Sequence, residues 1–215
     1  MRALHRTAAI GVFVAGFAVA CAQLIGVDPI SYSAVDAATG DDGAPQGPND
    51  APATGADGSG TLLVGVSEQE PDEDGMVEGT PQAWRHTAIA TGSVATLSVL
   101  FPPSNTGTEA RVGLYSDAAG VPGQLLTSGT LLLARGGGWS AVKPSPRVTV
   151  TAGEVYWIAL LATPGAGGLR LYDRARSDGG TVSLQDTTPD AGELPATWTK
   201  GSPFPFGPIT AFAAE

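Results

Sequence analysis

The stretch Val155-Tyr156-Trp157-Ile158-Ala159-Leu160-Leu161 decides how this sequence folds. Because side chains alternate between the two faces of a strand, an extended chain here is apolar on both faces. A strand of that kind has both of its faces covered by other parts of the protein. The pair Ala152-Gly153 just before it is typical of a turn that leads into the core. We therefore expect residues 155–163 to form a central β-strand.

Other short runs rich in Val, Leu, Ile, Thr and aromatic residues surround this one, separated by clusters of Gly, Pro, Asp and Ser. No window carries a sustained apolar period of about 3.6 residues with helix caps. Short strands at roughly 8–12-residue spacing are typical of a sandwich or a barrel. The predicted fold class is therefore all-β, an antiparallel β-sandwich over residues 61–215. Its other predicted strands span 61–67, 84–90, 93–101, 109–116, 125–134, 139–142, 147–151, 169–174, 181–185 and 209–213.

Three motifs in this region resemble a known family. The first is Arg111-Val112-Gly113-Leu114-Tyr115-Ser116-Asp117, followed by Gly120-Val121-Pro122-Gly123. The second is Gly138-Trp139, and the third is Thr151-Ala152-Gly153-Glu154-Val155-Tyr156-Trp157. Together they are similar to jelly-roll-like β-sandwich modules of bacterial extracellular and surface proteins, over about residues 64–212. The resemblance implies a jelly-roll-like fold and carries over no catalytic residue.

The charge of the chain is divided unevenly along its length. The net charge is −10, and between Thr7 and Trp84 there are twelve acidic residues and no Lys or Arg. The part from Arg85 onward holds nine acids and nine bases, so it lacks the basic surface that nucleic acid requires. Residues 31–60 are mainly Asp, Gly, Ala, Pro, Ser and Thr, a composition typical of a flexible linker. We expect residues 21–60 to tether the sandwich.

The first 21 residues have the pattern of an export signal. Arg2, His5 and Arg6 form a positive start, residues 7–20 are uncharged, and Ala18-Val19-Ala20 offers small side chains for cleavage. Cys21, the single cysteine of the chain, follows directly. This arrangement resembles a bacterial lipobox, with Ala18 where Leu is usual, and implies that residues 1–20 are removed and Cys21 is lipidated. Ala22, which is not Asp, favours the outer membrane of a Gram-negative bacterium by the same resemblance.

Two other interpretations of this segment stay open. Ala18-Val19-Ala20 also suits ordinary signal cleavage, which would leave a secreted protein with a free thiol at Cys21. Alternatively, residues 8–27 are long enough and apolar enough to remain as a membrane-spanning anchor, for which about 20 residues suffice.

The sequence carries no recognisable catalytic or zinc-binding motif. It lacks G-x-S-x-G, H-E-x-x-H and P-loop patterns, and residues 61–215 hold one histidine and no cysteine. We therefore predict no enzyme activity and no cofactor. A glycoside hydrolase, which needs two carboxylates on one bond, is the alternative. The segment with Asp72, Asp74 and Glu78 is predicted to be a solvated acidic loop, with calcium binding as its alternative.

Carbohydrate recognition is the most specific function that the sequence favours. Aromatic rings stack on sugar rings, while neighbouring polar groups bind the hydroxyls. The predicted ligand-binding residues are Tyr115, Arg170, Tyr172 and Trp198, of which Trp198 lies in a loop-like stretch and is expected to be exposed. Tyr172 shares one strand face with Arg170 and Arg174, and Tyr115 is expected to join that polar face. The resulting prediction is an envelope lipoprotein that binds polysaccharide or a surface protein. The alternative is a structural or assembly protein without a small-molecule site.

Overall fold

The computed structural model describes residues 60–175, 183–186, 191–199, 201–204 and 206–215, and these residues form strands and turns without a helix. The predicted signal and the tether up to residue 59 lie outside the described residues, and so does Cys21. None of the described segments forms a helix long and apolar enough to cross a bilayer.

Fifteen strands follow one another in the described part of the chain. In order, they are β1 (Leu62–Gly65), β2 (Asp72–Met76), β3 (Gln82–Thr87), β4 (Gly92–Ser93), β5 (Thr96–Phe101), β6 (Glu109–Asp117), β7 (Pro122–Leu132), β8 (Gly138–Val142), β9 (Thr149–Val150), β10 (Val155–Ala162), β11 (Leu169–Ala175), β12 (Ser183–Gln185), β13 (Pro203–Phe204), β14 (Phe206–Ile209) and β15 (Ala211–Ala214).

These strands form four antiparallel sheets around a shared apolar core. One sheet has the order β1-β15-β5-β8, a second has the order β13-β12-β3-β10-β6-β7, and smaller sheets are β14-β11-β2 and β4-β9. The core takes Leu97 and Val99 from the first sheet and Val112, Leu114 and Ile158 from the second. The all-β prediction is confirmed, and the arrangement is consistent with a sandwich, since two large sheets bury their facing side chains together.

Strand β10 is central, as its apolar sequence predicted. It pairs with β3 on one side and with β6 on the other. Ile158 and Leu160 point into the main core, whereas Trp157, Ala159 and Leu161 belong to a second cluster on the opposite face. All of these side chains are buried.

The second face of the six-stranded sheet is covered by residues 191–199, which we call the strap. Ala191, Leu194 and Trp198 of the strap pack on Trp157 and its neighbours. Backbone hydrogen bonds join the strap to the edge of β7, from Leu125 N to Ala196 O (3.0 Å) and from Trp198 N to Gly123 O (3.3 Å). The sequence predicted that this face is covered but did not identify the segment that covers it.

Asp117 stabilises the turn between β6 and β7. Asp117 Oδ2 accepts a hydrogen bond from Gly120 N (3.0 Å), and Gly120 adopts a positive φ of 86°. Asp117 Oδ1 accepts a second bond, from the indole Nε1–H of Trp157 (2.8 Å). One side chain therefore stabilises the turn and satisfies the indole of a buried tryptophan.

The prediction of an acidic loop around Asp72 is wrong, because these residues form strand β2. It pairs with β11 in the register Asp72↔Asp173 to Met76↔Leu169. β2 lies at the edge of its sheet, and its first four residues are exposed. Exposed side chains on an edge strand need no apolar alternation, and charges there discourage pairing with other chains. The pattern that identifies a half-buried strand is therefore missing from this sequence.

Candidate functional site

Strand β11 presents one carboxylate at a position that otherwise belongs to the core. Along the strand, Leu169, Leu171 and Asp173 share the buried face, while Arg170 and Arg174 are exposed on the other face. The two leucines join the main apolar cluster. Asp173 occupies the next inward position, and just 2 % of its surface is exposed. The alternation of β11 thus directs a charged group into the protein.

Strand β2 brings further acidic groups to Asp173. Asp72 is its direct partner across the strand pair, and Asp74 lies two residues further along the same face. Together with Glu73 and Phe206, these residues line a cleft of about 270 Å³. Of the five described residues that line the cleft, four have carboxyl groups and the fifth has an aromatic ring. We call this feature the acidic cleft.

Several acids in and beside the acidic cleft have partners of their own. Glu70, which is buried next to the cleft, forms an ion pair with Nε of Arg174 (2.8 Å). The Ser104 hydroxyl donates to Glu73 Oε2 (2.6 Å). Asp74 Oδ1 accepts a hydrogen bond from Gly75 N (2.7 Å). These bonds hold Glu73 and Asp74 in place at the cleft and pair the charge of Glu70 beside it.

Asp173 differs from its neighbours because no described residue donates a hydrogen bond to its carboxylate. Burial, reinforced by repulsion from Asp74, Asp72 and Glu70, raises the pKa of Asp173 from 3.8 to about 6. A buried carboxylate without a donor is unfavourable for folding. A ligand that supplies hydrogen-bond donors in the acidic cleft would relieve that cost.

The three predicted calcium ligands do not come together. Asp72 and Asp74 line the acidic cleft, whereas Glu78 Oε2 accepts a hydrogen bond from Gly165 N (2.7 Å) in the loop between β10 and β11. Within the described ranges, no three acidic, histidine or cysteine side chains are grouped closely enough to hold a metal ion.

Two of the predicted ligand-binding residues lie beside the acidic cleft. Tyr172 and Arg170 share the outer face of β11, as expected. Tyr172 faces Glu73 in the strand register, and Arg170 faces Gly75. The Arg170 side chain lies over Gly75, and its guanidinium would be in ordinary van der Waals contact, at 3.8 Å, with a Cβ placed there. The β2–β11 pair therefore carries both the cleft and this polar face.

The other two predicted ligand-binding residues are buried, which corrects the expectation for both. Tyr115 is 0 % exposed and lies under the strap rather than on the face of Tyr172. Trp198 is 7 % exposed and contacts the Tyr115 ring edge-on, with ring centres 5.2 Å apart. The Tyr115 hydroxyl donates to Pro195 O (2.7 Å), and burial raises its pKa, with the charge of Asp186 adding to the effect. Neither ring offers a free face for stacking on a sugar.

A scan against protein-family models and a search of curated proteins found no match to this chain.

Proposed function

We propose that this chain is a lipid-anchored protein of the bacterial cell envelope whose jelly-roll-like sandwich binds carbohydrate at the acidic cleft. The observation that carries the binding proposal is Asp173, a buried carboxylate that lines an open cleft and accepts no hydrogen bond from the part of the chain that the structure describes. Carboxylate oxygens are strong acceptors for sugar hydroxyl groups, because charge-assisted hydrogen bonds are shorter and stronger than neutral ones.

The surroundings of Asp173 support recognition of a sugar. A volume of about 270 Å³ is at the small end of ligand pockets, which suits one or two sugar rings at the end of a chain. Phe206 supplies an apolar wall beside the carboxyl groups of the cleft. An aromatic ring beside convergent acceptors is the combination that sugar recognition requires.

A glycan array with the purified full-length protein tests the binding proposal. We expect a small set of related glycans to bind, and Asp173→Asn to remove that binding. Glu154→Gln, in the turn before β10, removes a similar charge outside the cleft and is expected to change nothing. Absence of glycan binding by the native protein would contradict the proposal and favour the structural or assembly role, for which crosslinking in cells should trap a protein partner.

The anchor is tested separately. Fractionation and mass spectrometry of the exported protein should find acyl chains on Cys21 and the protein in the membrane fraction. Cys21→Ser should release it, because acyl chains provide the membrane affinity in this proposal. An unacylated Cys21, or retention of the serine variant in the membrane, would reject the lipid anchor without affecting the binding proposal.

A second candidate function is glycoside hydrolysis, favoured by one observation. Burial raises the pKa of Asp173 to about 6, which suits a general acid, and Asp72 lies across from it as a second carboxyl group. Glycoside hydrolysis requires two carboxyl groups of this kind at one bond. Release of reducing ends from any glycan that binds, lost in Asp173→Asn, would establish this activity. If a glycan binds and no reducing ends are released, the protein is a binding module and this second candidate function is rejected.

A further inference from the structure

We propose that the acidic cleft selects glycans that carry a free, positively charged amino group, such as deacetylated amino sugars. This inference rests on the proposed carbohydrate binding and specifies the class of sugar. Its structural basis is the charge of the cleft and the position of Asp173 within it.

The lining of the cleft is suited to a cation. Asp72, Glu73, Asp74 and Asp173 supply four carboxyl groups, and no base is among the described residues that line the cleft. Arg174, the base that follows Asp173, is engaged by Glu70 at 2.8 Å. Like charges in one cleft repel each other, and a cation relieves that repulsion while an anionic glycan increases it.

Asp173 discriminates between an ammonium group and a neutral hydroxyl. A hydroxyl donates one hydrogen bond, whereas an ammonium donates up to three and brings a positive charge. Because Asp173 is 2 % exposed, an ion pair with it is screened less by water and salt than a pair on the surface. The same burial disfavours the ionised carboxylate in the absence of such a partner. The site is therefore complementary to a ligand that neutralises it.

Phe206 adds a second element of ammonium recognition. The face of an aromatic ring attracts cations through its quadrupole, and Phe206 lines the same cleft as the four carboxyl groups. Calcium requires several oxygen ligands simultaneously, at about 2.3–2.6 Å. The acids of the described residues are not grouped in that way, which favours an organic cation over a bare metal ion.

Titration calorimetry at neutral pH and low salt distinguishes these ligands. The probes are a glucosamine tetramer, its fully N-acetylated counterpart and calcium chloride, each added to the full-length protein. We expect the free amine to bind at least about ten-fold more tightly than the acetylated tetramer, and the preference to weaken at high salt. Asp173→Asn should abolish the preference, Phe206→Leu should reduce it, and Glu154→Gln should retain it.

Each outcome separates this inference from the function on which it rests. Equal binding of both tetramers overturns the preference for an amine and leaves carbohydrate binding intact. Binding of neither tetramer overturns both, and binding of calcium alone, lost in Asp173→Asn, replaces them with a metal site. Since Asp173→Asn removes an unfavourable buried charge, thermal unfolding of the variant should show that it is folded, so lost binding is not a folding defect.

Discussion

Leu194 of the strap lies directly on Gly113 of β6. A Cβ placed at Gly113 would be 2.7 Å from Leu194 Cδ1 and 2.8 Å from Leu125 Cδ1, closer than side chains tolerate. Gly113 lies within strand β6, and its lack of a side chain lets the strap pack against the backbone of the sheet. A larger residue at this position would have to displace the methyl ends of Leu194 and Leu125, and it would also lie 3.2 Å from the backbone oxygen of Thr127.

Gly113→Ala should accordingly destabilise the protein by about 1–3 kcal/mol, the usual range for overpacking. Urea unfolding monitored by tryptophan fluorescence measures this change. Gly192→Ala is the matched control, because nothing lies within 4 Å of a Cβ at Gly192. If the two variants are equally stable, the strap does not pack on β6 as described.

Two buried ionisable groups should give stability opposite dependences on pH. Burial lowers the pKa of His86 from 6.5 to about 4, so the unfolded chain takes up a proton at this residue more readily than the folded protein does. The free energy of unfolding therefore decreases as the pH falls from 6.5 towards 4, and His86 has no such effect above pH 6.5. The pKa of Asp173 is raised from 3.8 to about 6, so its ionisation reduces stability as the pH rises through that range. Between these limits the two effects partly cancel in the native protein.

Asp173→Asn should therefore leave the pH dependence of stability that His86 causes without the opposing effect of Asp173. We expect the variant to be more stable than the native protein at pH 7 by about 1 kcal/mol, a value reduced for solvent screening in the cleft. At about pH 4 the advantage should disappear, because Asp173 is then protonated and carries no charge. Thermal unfolding from about pH 4 to 7 measures both slopes. A variant that is less stable at pH 7 would show that Asp173 has a favourable partner.

Asp117 should matter for stability through its acceptor oxygens rather than its charge. Asp117→Ala leaves the Trp157 indole N–H and the Gly120 amide without their acceptor, which should cost about 1–3 kcal/mol. Asp117→Asn keeps one carbonyl oxygen and should lose clearly less. Chemical unfolding of both variants tests this order, and equal losses would contradict it.

The hydroxyl of Tyr115 should hold the strap in place. Tyr115→Phe removes the donor to Pro195 O and should destabilise the protein by about 1 kcal/mol. Hydrogen exchange should accelerate at the amides of Leu125 and Trp198, which join the strap to β7. Tyr172→Phe, on the half-buried outer face of β11, is the matched control and should leave these amides unchanged.

The strands that could be predicted from the sequence are those in which burial requires a regular pattern of apolar residues. β10 reads as a doubly covered strand because seven consecutive apolar residues admit no exposed face. β2 leaves no such trace, because an exposed edge strand is held by backbone pairing with β11 and has Met76 as its one buried residue. β13, with the sequence Pro203-Phe204, is too short to show any alternation.

The candidate site was harder to predict, for two physical reasons. The burial of Tyr115 and Trp198 depends on the strap folding back over the sheet, a long-range contact that local composition does not reveal. Asp173, in contrast, had a local signal. It follows Leu169 and Leu171 at period two, so the alternation of β11 already places a carboxylate on the buried face. A charged residue at an inward position of a predicted strand therefore indicates a binding site as strongly as an aromatic residue in a loop does.

The position of β15 has a consequence for how the chain is made. Ala211–Ala214 pairs with β1 on one side and β5 on the other, so the middle of the four-stranded sheet is contributed by residues far along the chain from both partners. A nascent polypeptide that emerges amino terminus first cannot close that sheet until this segment has been synthesised. The strands β1 and β5 therefore wait, without their shared neighbour, until residues 211–214 have left the ribosome.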